Sequence, residues 1–180
     1  MKNFLLAVAI LVSVNSFAQV TNVSLQASGL TCSMCSNSIN KALRSIDYVA
    51  DIKADIKNSI FLISFKPDAK VDFDLLKKKV EDAGFHVAKL SANVRFNNQQ
   101  VATDSHVKVD GMIFHFLRIK DQTLQGETTI QVLDKGFVSS KEFKKNEGFT
   151  KMACYKTGVA GSCCSKEGIN PGSRIFHVTI

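Results

Sequence analysis

The sequence predicts an α+β protein with a β-α-β-β-α-β first half and a second half that is rich in strands. Over residues 21–90 the spacing of apolar residues alternates between a period of two and a helical period. Beyond residue 105, short apolar runs are separated by turns that contain glycine. A polar stretch over residues 93–105 separates these two sequence patterns, so we expect two domains.

The first half contains four strand-like and two helix-like segments, in the order strand 21–30, helix 36–47, strand 49–56, strand 60–65, helix 73–83 and strand 85–90. Residues 57–59 form a polar turn that makes the second and third strands a hairpin. Asp72 is placed to cap the second helix and Gly84 to end it. This order is the split βαβ, or ferredoxin-like, arrangement.

The second half is predicted to be a separate β-rich domain. Residues 93–105 are polar and are predicted to link a domain at 20–92 to one at 106–180. The segments predicted there are strands over 106–109, 113–119, 128–133 and 174–180 and a helix over 139–146. Short strands in this number favour a small barrel of the OB-like kind.

The first 18 residues have the pattern of a secretory signal peptide. Lys2 precedes an apolar run over residues 4–12, and Ser16 and Ala18 are the small residues that a cleavage site before Gln19 requires. The apolar run is too short to span a bilayer. We therefore expect cleavage after Ala18 and a periplasmic or secreted protein with no stable membrane span.

The charge of the chain indicates a solvated surface. Lys and Arg number 23 against 16 Asp and Glu, which gives a net charge of +7, but the lysines are scattered. We expect contact with acidic partners and no nucleic-acid partner, because the chain is predicted to be exported. The sequence has no recognisable Ser-His-Asp spacing, phosphate loop or carboxylate pair, so we expect a binding protein and not an enzyme.

The segment from Gly29 to Cys35 is the strongest chemical signal in the chain. Cys32 and Cys35 lie three positions apart where the first strand gives way to the first helix. Two thiolates at this spacing can converge on one soft metal ion, and a helix N-terminus lowers the pKa of a thiol. Met34 lies between them and is expected to face solvent, with weak thioether ligation as the alternative.

This loop, followed by Ile39 and Leu43 and later by Ala83-Gly84-Phe85, resembles the heavy-metal-associated domain over residues 20–92. That family includes copper chaperones, the N-terminal modules of metal-exporting ATPases and the periplasmic mercury-binding protein. The resemblance implies that the two cysteines bind one ion in an exposed, nearly linear site. It also implies a metal-donating or metal-accepting partner, such as a metal-exporting ATPase or an efflux component.

The neighbours of the two cysteines favour Cu(I). Two sulfur ligands suit Cu(I) or Hg(II), whereas structural Zn(II) prefers four ligands. By the resemblance, Thr31 stands where zinc-handling members often carry Asp, and Phe85 supplies an apolar ring that shields the sulfurs. The expected role is periplasmic copper transfer or detoxification, with Hg(II) and Zn(II) as the alternative ions.

A thiol–disulfide function is the competing prediction for Cys32 and Cys35, because disulfides form in exported proteins. A thioredoxin-like motif typically has Trp before the first cysteine and Gly-Pro between the two. Here Ser33-Met34 lies between them and the chain has no Trp, which disfavours redox catalysis. A non-metal interaction module with structural cysteines is a third possibility.

Cys154, Cys163 and Cys164 form a second group in a chain with five cysteines. A disulfide from Cys154 to Cys163 or Cys164 would staple a loop, as in many small secreted domains, and would leave one thiol unexplained. The alternative is a second metal site assisted by Met152 or a histidine. The sequence alone leaves both open, with the disulfide slightly favoured.

His115 and His177 each lie between apolar residues on a predicted strand. If both segments are strands, the two imidazoles point away from their apolar neighbours and could meet as ligands on one face of a sheet. A strand histidine is more often hydrogen-bonded than metal-bound. His86, next to Phe85, is expected to be exposed near the loop.

Overall fold

The computed structural model describes residues 19–30 and 33–180, so the predicted signal peptide lies outside the described residues. Its strands and helices, in chain order, are β1 (Gln19–Ser28), α1 (Ser33–Arg44), β2 (Val49–Asp55), β3 (Ile60–Phe65), α2 (Phe73–Asp82), β4 (His86–Val101), β5 (His106–Val109), β6 (Met112–Phe116), β7 (Gln122–Val132), α3 (Ser140–Glu147), α4 (Cys154–Thr157) and β8 (Ile175–Thr179). A 3-10 turn covers Ser165–Glu167. None of the described helices is long and apolar enough to cross a membrane.

One mixed sheet contains all eight strands in the order β2-β3-β1-β4-β7-β8-β6-β5. Neighbouring strands are antiparallel except β6 and β8, which are parallel. The predicted β-α-β-β-α-β order of the first half is confirmed, with β1 between β3 and β4. α1 begins at Ser33, three residues earlier than its hydrophobic spacing predicts.

Two helices begin at side-chain caps, and the one at Asp72 is the cap that the sequence predicts. Asp72 caps α2, since its Oδ1 accepts hydrogen bonds from the backbone N–H of Asp74 at 2.9 Å and of Leu75 at 3.2 Å. Ser139 caps α3 by accepting from the N–H of Glu142 at 3.2 Å. These bonds satisfy amides that would otherwise lack intrahelical partners, and they fix where the two helices begin.

The predicted linker is replaced over most of its length by strand. β4 continues to Val101 and pairs with β7, so residues 93–101 belong to the sheet. Val94 and Phe96 are buried on the same side as Ala92, which continues the alternation of the first half. The polar side chains at residues 97, 98 and 100, which suggested a linker, are exposed on this strand. The register of its pairing with β7 shifts between Phe96 and Gln99.

The OB-like barrel is not confirmed. The sheet is open, with β2 and β5 as its two edges, because β7 pairs with β4 of the first half instead of closing a barrel within the second half. α4 and the 3-10 turn were not predicted; both lie between the helix α3 and the last strand.

β6 and β8 are covered on both faces. Phe114 and Phe176 face α2, where the ring of Phe73 lies 6.2 Å and 5.1 Å from theirs, centroid to centroid. The alternate residues Ile113 and Ile175 enter a separate apolar cluster on the other face. This burial of both faces explains why β6 and β8 are apolar apart from His115, His177 and Thr179.

Helix α2 ties the two halves of the chain together. Besides the packing of Phe73, Asp74 pairs with Arg174 through an Nε–Oδ2 distance of 2.6 Å. Lys77 places its Nζ 4.9 Å from the ring centroid of Phe137. The largest apolar cluster accordingly contains residues of both halves.

Candidate metal centre

The start of the cysteine loop is fixed by the conformation of Gly29 and by contacts of this segment with Phe85 and the main core. Gly29 directly follows β1 and has φ of +83°, a left-handed conformation that side chains other than Gly rarely adopt. A Cβ at Gly29 would lie 3.9 Å from Cδ1 of Phe85. Leu30 is partly buried against the main core. The chain therefore enters the loop in a defined direction.

Cys35 lies in the first turn of α1 and is half-buried. That turn contains no acidic residue, so the partial positive charge of the helix N-terminus favours a thiolate there. Met34 is 78% exposed, as expected of a side chain that faces solvent. Thr31 and Cys32 lie outside the described residues, so their predicted roles stay predictions.

Phe85 lies at the base of the loop. Its backbone N–H donates to the carbonyl of Val80 at 3.1 Å, which ties it to the end of α2, and its half-buried ring packs against the core. The next residue, His86, is exposed, and its carbonyl accepts from the hydroxyl of Ser28 at 3.3 Å. The apolar ring thus lies beside Gly29, and its role in shielding the two sulfurs stays a prediction.

Comparison with known proteins identifies the family to which the half with the cysteine loop is related. The profile of the heavy-metal-associated domain matches residues 24–86. The mercuric transport protein periplasmic component of Pseudomonas fluorescens is 33% identical over 86 residues, which are 47% of this chain and 93% of that protein. The chain belongs to the heavy-metal-associated domain family.

Other relatives of this heavy-metal-associated protein are larger. A probable copper-transporting ATPase of Arabidopsis thaliana is 28% identical over 93 residues, and a probable copper-exporting P-type ATPase of Archaeoglobus fulgidus is 30% identical over 71 residues. These matches cover 52% and 39% of this chain but 9% of each ATPase.

Solved structures similar to the protein include the CopZ metallochaperone, at 26% identity with a TM-score of 0.35, covering 38% of this chain and all of that one. Oxidized MerP from Ralstonia metallidurans CH34 is 28% identical with a TM-score of 0.35, covering 39% of this chain and 94% of that one. The family match ends at residue 86 and leaves the strand-rich half outside it.

The second cysteine group assembles in that outer half. Cys154 is the first residue of α4, and Cys163 and Cys164 precede the 3-10 turn. The three Sγ atoms lie within 4.8 Å of one another, with Cys163 and Cys164 3.4 Å apart, and they are not joined by a disulfide. Cys154 and Cys164 are buried and Cys163 is half-buried.

Two histidines complete this group. His115 lies on β6 with Nδ1 3.8 Å from Sγ of Cys154 and Nε2 3.1 Å from the carboxylate of Asp104. His106, directly opposite on β5, stacks on His115 with ring centroids 4.4 Å apart. Its Nδ1 lies 2.9 Å from Oε2 of Glu167. Its Nε2 is buried and has no hydrogen-bond partner among the residues that the structure describes.

His115 and His177 do meet, because they are paired across the parallel strands β6 and β8 with ring centroids 4.9 Å apart. His177 does not join the thiols, however. Its Nδ1 lies 2.6 Å from Oδ1 of Asp134, and Oδ2 of the same carboxylate lies 2.9 Å from Arg174. His177 therefore belongs to a hydrogen-bonded network with Asp134 and Arg174 beside the cysteine group.

Sequence reasoning missed His106. The signal that could have found it is the Asp110-Gly111 turn, whose two residues have φ of +50° and +81°. A two-residue turn of this kind closes a tight hairpin, in which the residues on either side pair in order. Counting outward from it places His106 opposite His115.

The surroundings set different protonation preferences within the group. Burial raises the pKa of Cys154 above its ordinary value. Burial also acts to raise the pKa of Cys163, but hydrogen bonds from the backbone and the neighbouring thiols outweigh it and lower that pKa. Burial, followed by the charges of the neighbouring histidines, lowers the pKa of His115. The imidazole of His115 is thus neutral at pH 7, and Cys163 is the thiol that ionises most readily.

Proposed function

We propose that this protein is an exported metal-binding protein, not an enzyme, that holds Cu(I) between Cys32 and Cys35 and exchanges it with a partner protein. The observation that carries this proposal is the position of Cys35 in the first turn of α1, within the part of the chain that matches the heavy-metal-associated domain. A cysteine at the positive end of a helix is suited to serve as a thiolate ligand.

The preference for Cu(I) rests on the chemistry of the loop. Thiolates select soft ions, and a site with two sulfurs satisfies an ion that accepts low coordination. In the described part of the loop, Met34 adds an exposed thioether and Phe85 an apolar ring beside Gly29, and the first turn of α1 contains no carboxylate. Zn(II) would lack the two further ligands that it prefers.

Exchange is supported by the exposure of the loop. Met34, between the two cysteines, is 78% exposed, so a partner can approach the loop from solvent. An incoming thiolate can add as a third ligand before one of the original two leaves. We propose a metal-exporting ATPase or an efflux component as this partner, because two relatives are named as copper-transporting or copper-exporting ATPases.

The test is a titration of the reduced protein with Cu(I) and with Zn(II) in the presence of a chromophoric chelator. We expect the loop to bind Cu(I) far more tightly than Zn(II), and the Cys32→Ser/Cys35→Ser variant to lose that binding step. Met34→Ala is the matched control in the same loop and is expected to bind normally. Unchanged Cu(I) binding by the double variant would overturn the proposal.

Mercury scavenging is the second candidate function, since the relative that the chain covers almost completely is a mercuric transport protein. Both ions suit two thiolates, so the structure of the loop favours neither strongly. Competition between Cu(I) and Hg(II) against a common thiol competitor distinguishes these functions. Reduction of insulin at a rate comparable to that of thioredoxin would instead assign the two cysteines to thiol–disulfide exchange.

A further inference from the structure

We propose that Cys154, Cys163, Cys164 and His115 form a second metal site, with His106 as an additional ligand at its edge. The ion that fits this set is a thiophilic d¹⁰ cation, Zn(II) or Cu(I), because thiolate and imidazole are the ligands that such ions prefer. This proposal does not depend on the loop at Cys32 and Cys35, which belongs to the other half of the chain.

The distances suit a single ion that contacts Cys154. Two sulfurs on one metal lie at most about 4.6 Å apart, since each metal–sulfur bond is about 2.3 Å long. The three Sγ atoms lie within 4.8 Å of one another, so a small contraction brings all three into range. Nδ1 of His115 lies 3.8 Å from Sγ of Cys154, which is compatible with both atoms binding the same ion.

Cys154 is shared by two overlapping sets of potential ligands. One set contains the three thiols, and the other contains Cys154 with His115 and His106, again with all ligand atoms within 4.8 Å. The two sets meet only at Cys154, so three cysteines and His115 would supply the four ligands of a tetrahedral site once both sets close around an ion at Cys154.

The histidines are oriented as metal-binding histidines usually are. In such sites the ring nitrogen that does not bind the metal is held by a carboxylate, which fixes the orientation of the ring. Asp104 holds Nε2 of His115 at 3.1 Å, which leaves Nδ1 to face Cys154. Glu167 holds Nδ1 of His106 at 2.9 Å. Both histidines thus have a carboxylate on one nitrogen and the other nitrogen available.

His106 supplies an independent sign that something is bound here. Its side chain is only 2% exposed, and within the described part of the chain its Nε2 has no hydrogen-bond partner. A buried polar nitrogen is normally paired, because leaving it unpaired costs the free energy of its desolvation. A bound metal would give this nitrogen a partner.

An ion has a route to these ligands. A cleft of about 310 Å³ is lined by His106 and Glu167 among others, and Cys163 is half-buried at the rim of the group. Cys154 and Cys164 are positioned by packing with Ile113 and Ile175 on the face of the sheet opposite Phe73. This packing keeps the two thiols close to each other before an ion arrives.

The experiment uses the Cys32→Ser/Cys35→Ser protein, reduced with a phosphine, so that the loop contributes no thiolate. We expect this variant to bind one equivalent of Zn(II) or Cu(I). The further change Cys154→Ser should weaken binding by at least about 100-fold, because it removes the shared ligand. Asp104→Asn should weaken it by about 10- to 100-fold through the orientation of His115. Asp121→Asn, at an exposed position, is the matched control and should have no effect.

Spectroscopy keeps the proposal testable if Cys154→Ser unfolds. With Co(II) as the probe, the loop variant should show sulfur-to-metal charge-transfer absorption, and X-ray absorption with Zn(II) should show both sulfur and nitrogen neighbours. Failure of the fully reduced loop variant to bind any of these ions would overturn the proposal. So would a metal spectrum without sulfur neighbours, which would show that the bound ion is held by nitrogen and oxygen ligands alone.

Discussion

At the scale of single residues, Gly29 and Phe85 determine how the chain enters the cysteine loop. Gly29 turns the chain in a conformation that an L side chain adopts only with strain, and Phe85 packs beside it. The sequence predicts the place of Phe85 because the family resemblance aligns it with the loop. The role of His106 was missed because it depends on a cross-strand pairing with His115, which follows only when the Asp110-Gly111 turn is used to set the register of the hairpin.

Replacing Gly29 by Ala should destabilise the protein by about 1–2 kcal/mol, because the added Cβ makes the left-handed conformation unfavourable. The nearest atom to that Cβ would be Cδ1 of Phe85 at 3.9 Å, an ordinary contact, so backbone strain alone sets the cost. Urea denaturation measures the free energy of unfolding. The control is Gly161→Ala, where φ is not positive and an added Cβ meets no atom within 4 Å. Equal effects of the two substitutions would contradict this account.

Replacing Phe85 by Ala should cost about 2 kcal/mol, below the range for fully buried rings because Phe85 is half-buried. The same change should speed alkylation of the thiols of the loop in the metal-free protein, because the shielding ring is lost. Rates of iodoacetamide labelling at Cys32 and Cys35, read by mass spectrometry, provide the measurement. Phe149→Ala, at a ring that is 44% exposed, should leave those rates unchanged. A labelling rate unaffected by Phe85→Ala would show that the ring does not shield the loop.

At the scale of elements, α2 is the piece that joins the two halves of the protein. Its cap at Asp72 and its core face could be predicted from the sequence, since both are local signals. Its contacts with the second half could not. The pairing of Asp74 with Arg174 spans 100 residues along the chain, and the contact of Phe73 with Phe176 spans a similar length.

The pair of Asp74 and Arg174 makes stability depend on pH. Burial alone would raise the pKa of Asp74, but the hydrogen bond and charge of Arg174 outweigh it and lower that pKa below its usual value. A lowered folded-state pKa means that the stabilisation is present above the unfolded-state pKa, near about 3.9, and is lost as the pH falls through the folded-state value.

Asp74→Asn should therefore lower the free energy of unfolding by about 1 kcal/mol at pH 7, a modest value because both side chains are partly exposed. The difference from the wild type should shrink below about pH 4. Chemical denaturation at pH 7 and pH 3 measures it. Asp82→Asn, which breaks the exposed pair with Lys78, is the control and should change stability by far less. An effect of Asp74→Asn that is the same at both pH values would rule out the ion pair as its cause.

At the scale of the whole molecule, the eight strands form one sheet and not two separate domains. The linker was predicted from the polar composition of residues 93–105. In the structure, Val94 and Phe96 within this stretch continue the buried face of β4. The number of strands in the second half could be estimated from the sequence. Their attachment to the first half could not, because pairing of β4 with β7 is a long-range choice between strands of similar pattern.

A shared sheet and core predict that both halves unfold together. The chain has two tyrosines and no Trp, with Tyr48 in the first half and Tyr155 in the second. In Tyr155→Phe the fluorescence therefore reports the first half, and in Tyr48→Phe it reports the second. Within each variant, the fluorescence midpoint and the circular-dichroism midpoint should coincide. Separate midpoints would show that the halves behave as independent domains.

The central claim is that the loop at Cys32 and Cys35 is a soft-metal site in its own right. The most direct test is the amount of Cu(I) bound per chain by the reduced Cys154→Ser/Cys163→Ser/Cys164→Ser protein, which keeps only the two thiols of the loop. We predict one tightly held Cu(I) per chain, and none after Cys35→Ser is added. The account would be contradicted if the triple variant bound no Cu(I), or if its Cu(I) remained bound after Cys35 was replaced.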